Sequence, residues 1–370
     1  METILVHAQT LVYTLVGLMP TAYQRDSLQT LLGLFLQAQG HPLPQSSSIK
    51  SASALSRFLN HYDWPTRHLI RVLRQQILQQ LLAYQPLGRR PHLQVIIDLT
   101  TLEKRGKLKA FGHLIHVLQG KRGLHLVVLY LVVGSFRVPF AFRVWRGKGA
   151  PSPAHLALRL LDNLPRTRTR AYRVLVLADA AFGSTEFLSG LRKRRLHGIV
   201  GVRCERRLSD GRRVDSLSHK GQQVRLEGLS FPVTISWLYV ERNEKLEKRF
   251  MLSTRPLKGN TITWWGRRRW AIEGFFKTIK HRFGLHRFGQ QSLVGAYRWF
   301  VLCLVSFLLA HWCFLSQASW GLPDWGASAQ QAIQILFPEV AICLVLVQLE
   351  RIRSLLHSFG LEVILADVRT

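Results

Sequence analysis

The chain has 370 residues, long enough for two or three domains, and 47% of them are hydrophobic, which supplies a substantial core and excludes a disordered chain. Lys and Arg number 51 against 21 Asp and Glu, a net charge of +30, so polyanions are the expected partners and nucleic acid leads among them. Charge alone is also compatible with a structural nucleic-acid binder or with adsorption on anionic lipid. The four cysteines, Cys204, Cys303, Cys313 and Cys343, form no C-x-x-C pair, which argues against a zinc site or disulfide framework and fits a reducing cytosol.

Residues 1–20 are fairly apolar, but Glu2 replaces the basic start of a signal peptide and no small-residue cleavage site follows. From Thr21 the pattern is helical: Leu28, Leu31, Leu32, Phe35 and Leu36 share one face, and His41 to Ser48 form a polar break. A second helical stretch begins near Ser51 with Leu55, Phe58 and Leu59. Pro65 then marks a helix start, and Leu69, Ile70, Val72, Leu73, Ile77, Leu78 and Leu81 continue at helical spacing. These residues, 1–88, suit either a DNA-binding region or a helical scaffold.

Strand-like runs then take over: His92 to Ile97, Leu114 to Leu118 and Leu124 to Val133. A helical pattern follows at Ala154 to Leu164, then a strand at Tyr172 to Ala178, a helix at Ser184 to Arg195 and a strand at Gly198 to Val202. The order predicts an α/β core with a mixed sheet over 89–202. Polar turns between strand-like runs (Phe231 to Tyr239, Lys248 to Ser253) predict a β-rich insertion over 203–263. One helix is predicted from Trp264 to His281, with Trp265, Ile272, Phe276, Ile279 and Phe283 as its apolar stripe, inside a core segment 264–290. The remainder, 291–370, is helical and apolar. Its stretch from Trp299 to Leu315 approaches a membrane span, but His311 and Ser306 interrupt it and Arg298 borders it, so a buried helix is the preferred reading over a membrane helix.

In so basic a chain the placement of carboxylates is informative. Asp98 ends the run Val95-Ile96-Ile97, and Asp179 ends Val174 to Ala178 just before Ala180-Ala181-Phe182-Gly183. Each alone could be an N-cap or turn residue, but strand ends in an α/β sheet are where ligands commonly bind. Glu273 stands alone among acids from Arg249 through Pro323, with Arg269, Lys277 and Lys280 on its helical face. Three such carboxylates can hold two Mg²⁺ or Mn²⁺ ions for in-line displacement at phosphorus, and the flanking cations suit a phosphate backbone.

The sequence resembles DDE transposases of bacterial insertion sequences, most specifically in Arg269, Glu273 and Lys280, which match the Arg-Glu-Lys part of the Tyr-Arg-Glu-Lys signature of one branch, and in Ala178 to Gly183, which looks like the second-Asp motif. The resemblance runs from Asp98 to about Phe288. It implies a ribonuclease-H-like catalytic core with a β-rich insertion and helical N- and C-terminal regions. It further implies that Asp98, Asp179 and Glu273 are catalytic metal ligands for two Mg²⁺ or Mn²⁺ ions, that Arg269 and Lys280 bind DNA near the scissile phosphate, and that a homodimer acts on paired double-stranded ends in the bacterial cytoplasm. The reaction implied is cleavage at element ends followed by transfer of the 3′-hydroxyl into target DNA.

Lys277, Arg268 and Trp265 are further candidate DNA contacts, although Trp265 fits the apolar stripe better than base stacking. Arg192 to Arg195 and Arg206, Arg207, Arg212 and Arg213 are candidate contacts or a solvated basic face. One departure stands out: Gly266 occupies the signature's Tyr position, which puts a hairpin step in doubt. The rival readings are a ribonuclease-H-like nuclease without strand transfer, a DNA-binding descendant whose site has decayed, and a membrane protein.

Overall fold

The computed structural model describes residues 2–37, 39–84, 90–104, 112–118, 120–242, 244–290, 292–317 and 323–362. In chain order, helices α1 (Glu2–Gly17), α2 (Ala22–Gln37), α3 (Ala52–Asn60) and α4 (Thr66–Ala83) precede strands β1 (His92–Glu103), β2 (His116–Leu118), β3 (Lys121–Val133) and β4 (Phe136–Trp145). Then come α5 (Pro153–Leu161), α6 (Arg166–Thr169), β5 (Arg173–Ala178), α7 (Thr185–Lys193), β6 (His197–Val202), β7 (Gln222–Val224), β8 (Val233–Arg242) and β9 (Lys245–Ser253). The chain continues with α8 (Gly259–Arg268), α9 (Ala271–His281), α10 (Leu293–Ser316), α11 (Trp325–Leu336), α12 (Pro338–Arg351) and α13 (Arg353–Ser358).

The chain forms two compact units, residues 74–277, and residues 1–73 together with 278–370. The first of these holds one mixed sheet of nine strands among the described residues, in the order β2-β3-β1-β5-β6-β9-β8-β7, with β4 paired to β3. The three central strands β1, β5 and β6 run parallel, and the remaining pairings are antiparallel. β3 is buried without interruption from Gly123 to Val133, as expected of a strand covered on both faces. Ser152 and Ser184 accept the His155 and Phe187 amides and so cap α5 and α7, the two longer helices beside the parallel strands. The architecture is the expected mixed α/β, ribonuclease-H-like sheet flanked by helices.

Three local differences matter. β1 is twice as long as the run predicted for it and carries Asp98 in its middle, because Thr100 and Leu102 also turn inward against β3. β4 was not expected; its alternation is masked by an almost wholly apolar sequence. The segment 203–263 contributes β7, β8 and β9, and β9 pairs with β6, so these strands widen the main sheet.

The other unit is helical and centres on α10. This helix is long and apolar enough to cross a membrane by length and composition, yet Trp299, Leu302, Cys303, Leu309 and Trp312 are wholly buried among its neighbours, as the buried-helix reading requires. Leu28, Leu31, Leu32, Phe35 and Leu36 of α2 and Leu55, Phe58 and Leu59 of α3 are buried as their spacing predicts. Phe35 packs on Trp299 at 4.6 Å. α10 begins at Ser292, whose hydroxyl caps Gly295 N and donates to Asn60 Oδ1 at the end of α3.

Candidate active site

The parallel ladder between β1 and β5 ends at the pair Ile97 and Ala178. The next residue on each chain is an aspartate, Asp98 on β1 and Asp179 beyond β5, so register alone sets two carboxylates side by side. Asp179 also caps the short 3-10 turn Ala180–Phe182, its Oδ1 accepting from Ala181 N at 3.0 Å; the turn-residue and the site-residue readings therefore describe one residue. That turn crosses β6 closely: a Cβ at Gly201 would lie 2.5 Å from Ala180 N, so only glycine lets it pass.

Glu273 comes from the first turn of α9. The single helix expected from Trp264 to His281 is broken at Arg269 and Trp270 into α8 and α9. The apolar stripe survives the break, since Trp265, Ile272, Phe276, Ile279 and Phe283 are all buried. The break places Arg269 among the acids. Its Nη1 donates to Asp98 Oδ2 at 2.7 Å and its Nη2 to Glu273 Oε1 at 2.9 Å. Asp98 Oδ1 accepts from Leu99 N at 2.7 Å.

Asp98, Asp179, Arg269 and Glu273 line one cavity of about 560 Å³, together with Lys248, Arg249 and Met251 of β9, Gly266 and Trp270. Burial, followed by the negative charge of Asp179, pushes the Asp98 carboxyl up to about 7, against the pull of Arg269 and the Leu99 amide. Burial likewise raises Asp179, opposed by Arg269 and by the Ala181 and Phe182 amides, while Glu273 adds repulsion. The three carboxylates thus act on one another electrostatically at a partly desolvated cavity.

The remaining predicted contacts divide. Lys277 is exposed on α9 and Lys280 is half-buried on its last turn. Trp265 is 8% exposed, edge-on to Trp264 and beside His92, so it is closed to a base and belongs to the core. Its neighbour Trp264 is 48% exposed, with the Arg268 guanidinium 3.4 Å above its ring. The two share a groove with Gln94, Arg137 and Arg267. Several of the arginines outside this region serve local pairs: Arg194 grips Asp162 with two bonds of 2.7 Å, Arg212 pairs with Asp210, Arg213 with Asp215, and Arg206 bonds Thr185 and the Glu227 carbonyl.

Gly266, at the position where an aromatic residue was expected, faces β9: a Cβ there would lie 1.9 Å from Met251 Sδ. Sequence reasoning missed Lys248 and Arg249, which reach the cavity because β9 joins β6. A pairing across 50 residues leaves no trace in local periodicity, although the Lys-Arg doublet at a strand's middle was a signal available to be weighed.

The chain matches the family described as "Transposase DDE domain" over residues 89–309. It belongs to that family. Curated protein sequences yield no match. Among solved structures it is similar to a piggyBac transposase synaptic complex with hairpin DNA determined by cryo-EM, with 12% identity, a TM-score of 0.55, and coverage of 92% of this chain and 79% of that one. At that identity the likeness concerns the fold.

Transposases of this family generally use divalent metal ions. The donor set here fits such an ion in chemistry: three carboxylates with hard oxygen donors, of which Asp98 and Asp179 are made more basic by burial and by neighbouring negative charge that a cation would relieve. Among the described residues, no three His, Cys, Asp or Glu side chains are gathered closely enough to hold a metal as they stand. The guanidinium of Arg269 bridges Asp98 and Glu273 instead.

Proposed function

We propose that this chain is a DNA transposase of a bacterial insertion sequence, in the branch marked by the Arg269, Glu273 and Lys280 spacing, acting on double-stranded element ends and target DNA as a homodimer in the cytoplasm. The observation that carries this reading is the convergence of Asp98, Asp179 and Glu273 on one cavity from three separate elements, with basic residues around it. Asp98, Asp179 and Glu273 would hold two Mg²⁺ or Mn²⁺ ions, which when bound supply charge neutralisation for attack at phosphorus.

The protein's own side chains do the rest. Arg269, Lys277 and Lys280 receive the phosphates near the scissile bond, and Lys248 and Arg249 line the opposite wall of the cavity. Trp264, with Arg268 stacked on it, offers a face on which an unpaired base at the cleaved end can lie. The same site serves two displacements in turn: water attacks the phosphate at the element end, leaving it on the flanking strand and releasing the element's 3′-hydroxyl, and that hydroxyl then attacks a target phosphate and displaces the target strand's own 3′-oxygen.

The test is Mg²⁺-dependent nicking and strand transfer on DNA carrying the element's own ends, with Asp98→Asn, Asp179→Asn and Glu273→Gln alongside the native chain. Joined products from the native protein, lost in each variant while DNA binding persists, support the reading. Nicked products without joining would favour a nuclease, and cleavage surviving any one substitution would remove that residue from the site.

A further inference from the structure

A cation already occupies the middle of the acidic site. Arg269 engages Asp98 Oδ2 at 2.7 Å and Glu273 Oε1 at 2.9 Å at the same time, and little of its side chain is open to solvent. Arg269 stands at the break between α8 and α9, four residues before Glu273, and lines the same cavity as Asp98 and Glu273. The other oxygen of Asp98 is committed to the Leu99 amide. The neighbouring basic side chains have other engagements, Lys248 over the rings of Trp237 and Phe250 and Arg249 with Glu247.

A divalent ion held by Asp98 and Glu273 would draw on the same two carboxylates that Arg269 now engages. The guanidinium charge, fixed about 3 Å from these oxygens and with no oxygen ligand of its own to share, opposes the approach of a divalent ion to the same carboxylates. A phosphate presented at the cavity mouth offers the guanidinium an alternative, since its planar fork pairs with phosphate in the same two-bond geometry it uses here. We infer that Arg269 is an internal counter-cation that competes with the divalent metal for Asp98 and Glu273, and that a DNA phosphate drawing the guanidinium away opens the carboxylates to the metal. Arg269 is in this sense a positioning residue, and the site is loaded in the order DNA, then metal. The inference rests on the reading of Asp98, Asp179 and Glu273 as metal ligands.

The experiment measures Mn²⁺ binding to the full chain by electron paramagnetic resonance and calorimetry, with and without a short pre-cleaved duplex bearing a terminal phosphate. Native protein is compared with Arg269→Gln, Arg269→Lys, and the double variant Asp98→Asn with Arg269→Gln. Loss of a charge-assisted bond to a ligand oxygen should make Arg269→Gln bind Mn²⁺ about tenfold more tightly than native protein without DNA. The duplex should tighten Mn²⁺ binding to the native protein and leave Arg269→Gln unchanged. Arg269→Lys, which keeps the charge and loses the fork, should fall between them, and it carries the test if the Gln variant does not fold.

A merely structural role for Arg269 predicts the opposite sign. Equal or weaker Mn²⁺ binding by Arg269→Gln and Arg269→Lys overturns the inference. If instead Asp98→Asn in the Gln background leaves Mn²⁺ binding intact, or no form binds Mn²⁺ with or without DNA, the metal-ligand reading itself fails and takes this inference with it.

Discussion

Two arginines, one in each unit, are bonded in contrasting ways. Arg298 on α10 is 4% exposed and donates to the carbonyls of Phe58, Leu59, Tyr62 and Trp64 and to the Thr66 hydroxyl, closing off the end of α3 and the start of α4. Its ring neighbour Trp64 lies 4.1 Å away. Burial lowers its pKa to about 10, with weak support from Asp63, so a full charge is held almost entirely by neutral oxygens. Arg269 is held by two carboxylates that repel one another, and burial has already made one of them, Asp98, reluctant to ionise. The first arrangement satisfies orphan carbonyls at helix ends and stabilises the fold. The second concentrates unfavourable charge where a ligand can relieve it, the pattern expected where stability is given up for function.

The contrast can be broken most directly at the acids. On the proposed function, Asp179→Asn should lower strand transfer by roughly a thousandfold, because it would remove an anionic metal ligand from phosphoryl-transfer chemistry worth several kcal/mol. Its thermal unfolding should stay close to native. A loss of activity that merely follows a loss of folded protein would make Asp179 a structural cap and remove the distinction between the two regions.

Arg298→Met should have the reverse profile. Four carbonyls lose a charged donor in a buried setting, a cost of about 3 kcal/mol or more, and a unit of this size should then melt roughly 10 °C lower. DNA cleavage per folded molecule should be unchanged. Calorimetry with parallel cleavage assays checks both halves of that expectation.

Asp98→Asn sharpens the comparison through pH. The folded carboxyl lies near 7 against an ordinary 3.8, so between those values the native state holds a proton that the unfolded chain has released. Stability from this group is therefore fully present below the ordinary value and is lost as pH rises through 7. In metal-free buffer at pH 8 the Asn variant should be the more stable by about 2 kcal/mol, and the gain should shrink towards pH 5. Denaturant melts at the two pH values decide the matter. A variant less stable than native at pH 8 would place Asp98 with Arg298 among residues that hold the fold together.

How far these regions were legible in the sequence follows from the range of the interactions that build them. The faces of α2, α3 and α4, the apolar stripe through Trp265 and Phe283, and the runs leading to Asp98 and Asp179 are local patterns, and each reads out as a period of 3.6 or 2. The three carboxylates could be picked out because acids are scarce in a chain of this charge. What stayed hidden was β4, a hairpin partner of β3 whose apolar sequence masks its alternation, the pairing of β9 with the distant β6 that brings Lys248 and Arg249 to the cavity, and the local break at Arg269. At that break Arg269, a residue expected to bind DNA, also bridges Asp98 and Glu273. Gly266 was seen as a departure, but only its closeness to Met251 shows what replaces the missing ring.

The smallest expected effect concerns two adjacent tryptophans, of which the sequence pattern placed Trp265 on the apolar stripe and left Trp264 without a role. Both lie in α8, but the rotation of about 100° between consecutive helical residues sends Trp265 against His92 in the interior and leaves Trp264 outside beneath Arg268. If Trp264 stacks on a base, Trp264→Ala should weaken binding to DNA with an unpaired end by roughly tenfold, leave fully paired duplex almost untouched, and barely move the melting temperature. Trp265→Ala should instead lower stability and affect the two DNA forms alike. Fluorescence anisotropy on both DNA forms separates these outcomes. Equal weakening of both forms by Trp264→Ala would mean that the ring only supports Arg268 against the phosphates, and the aromatic surface would then belong to the electrostatic description of this site.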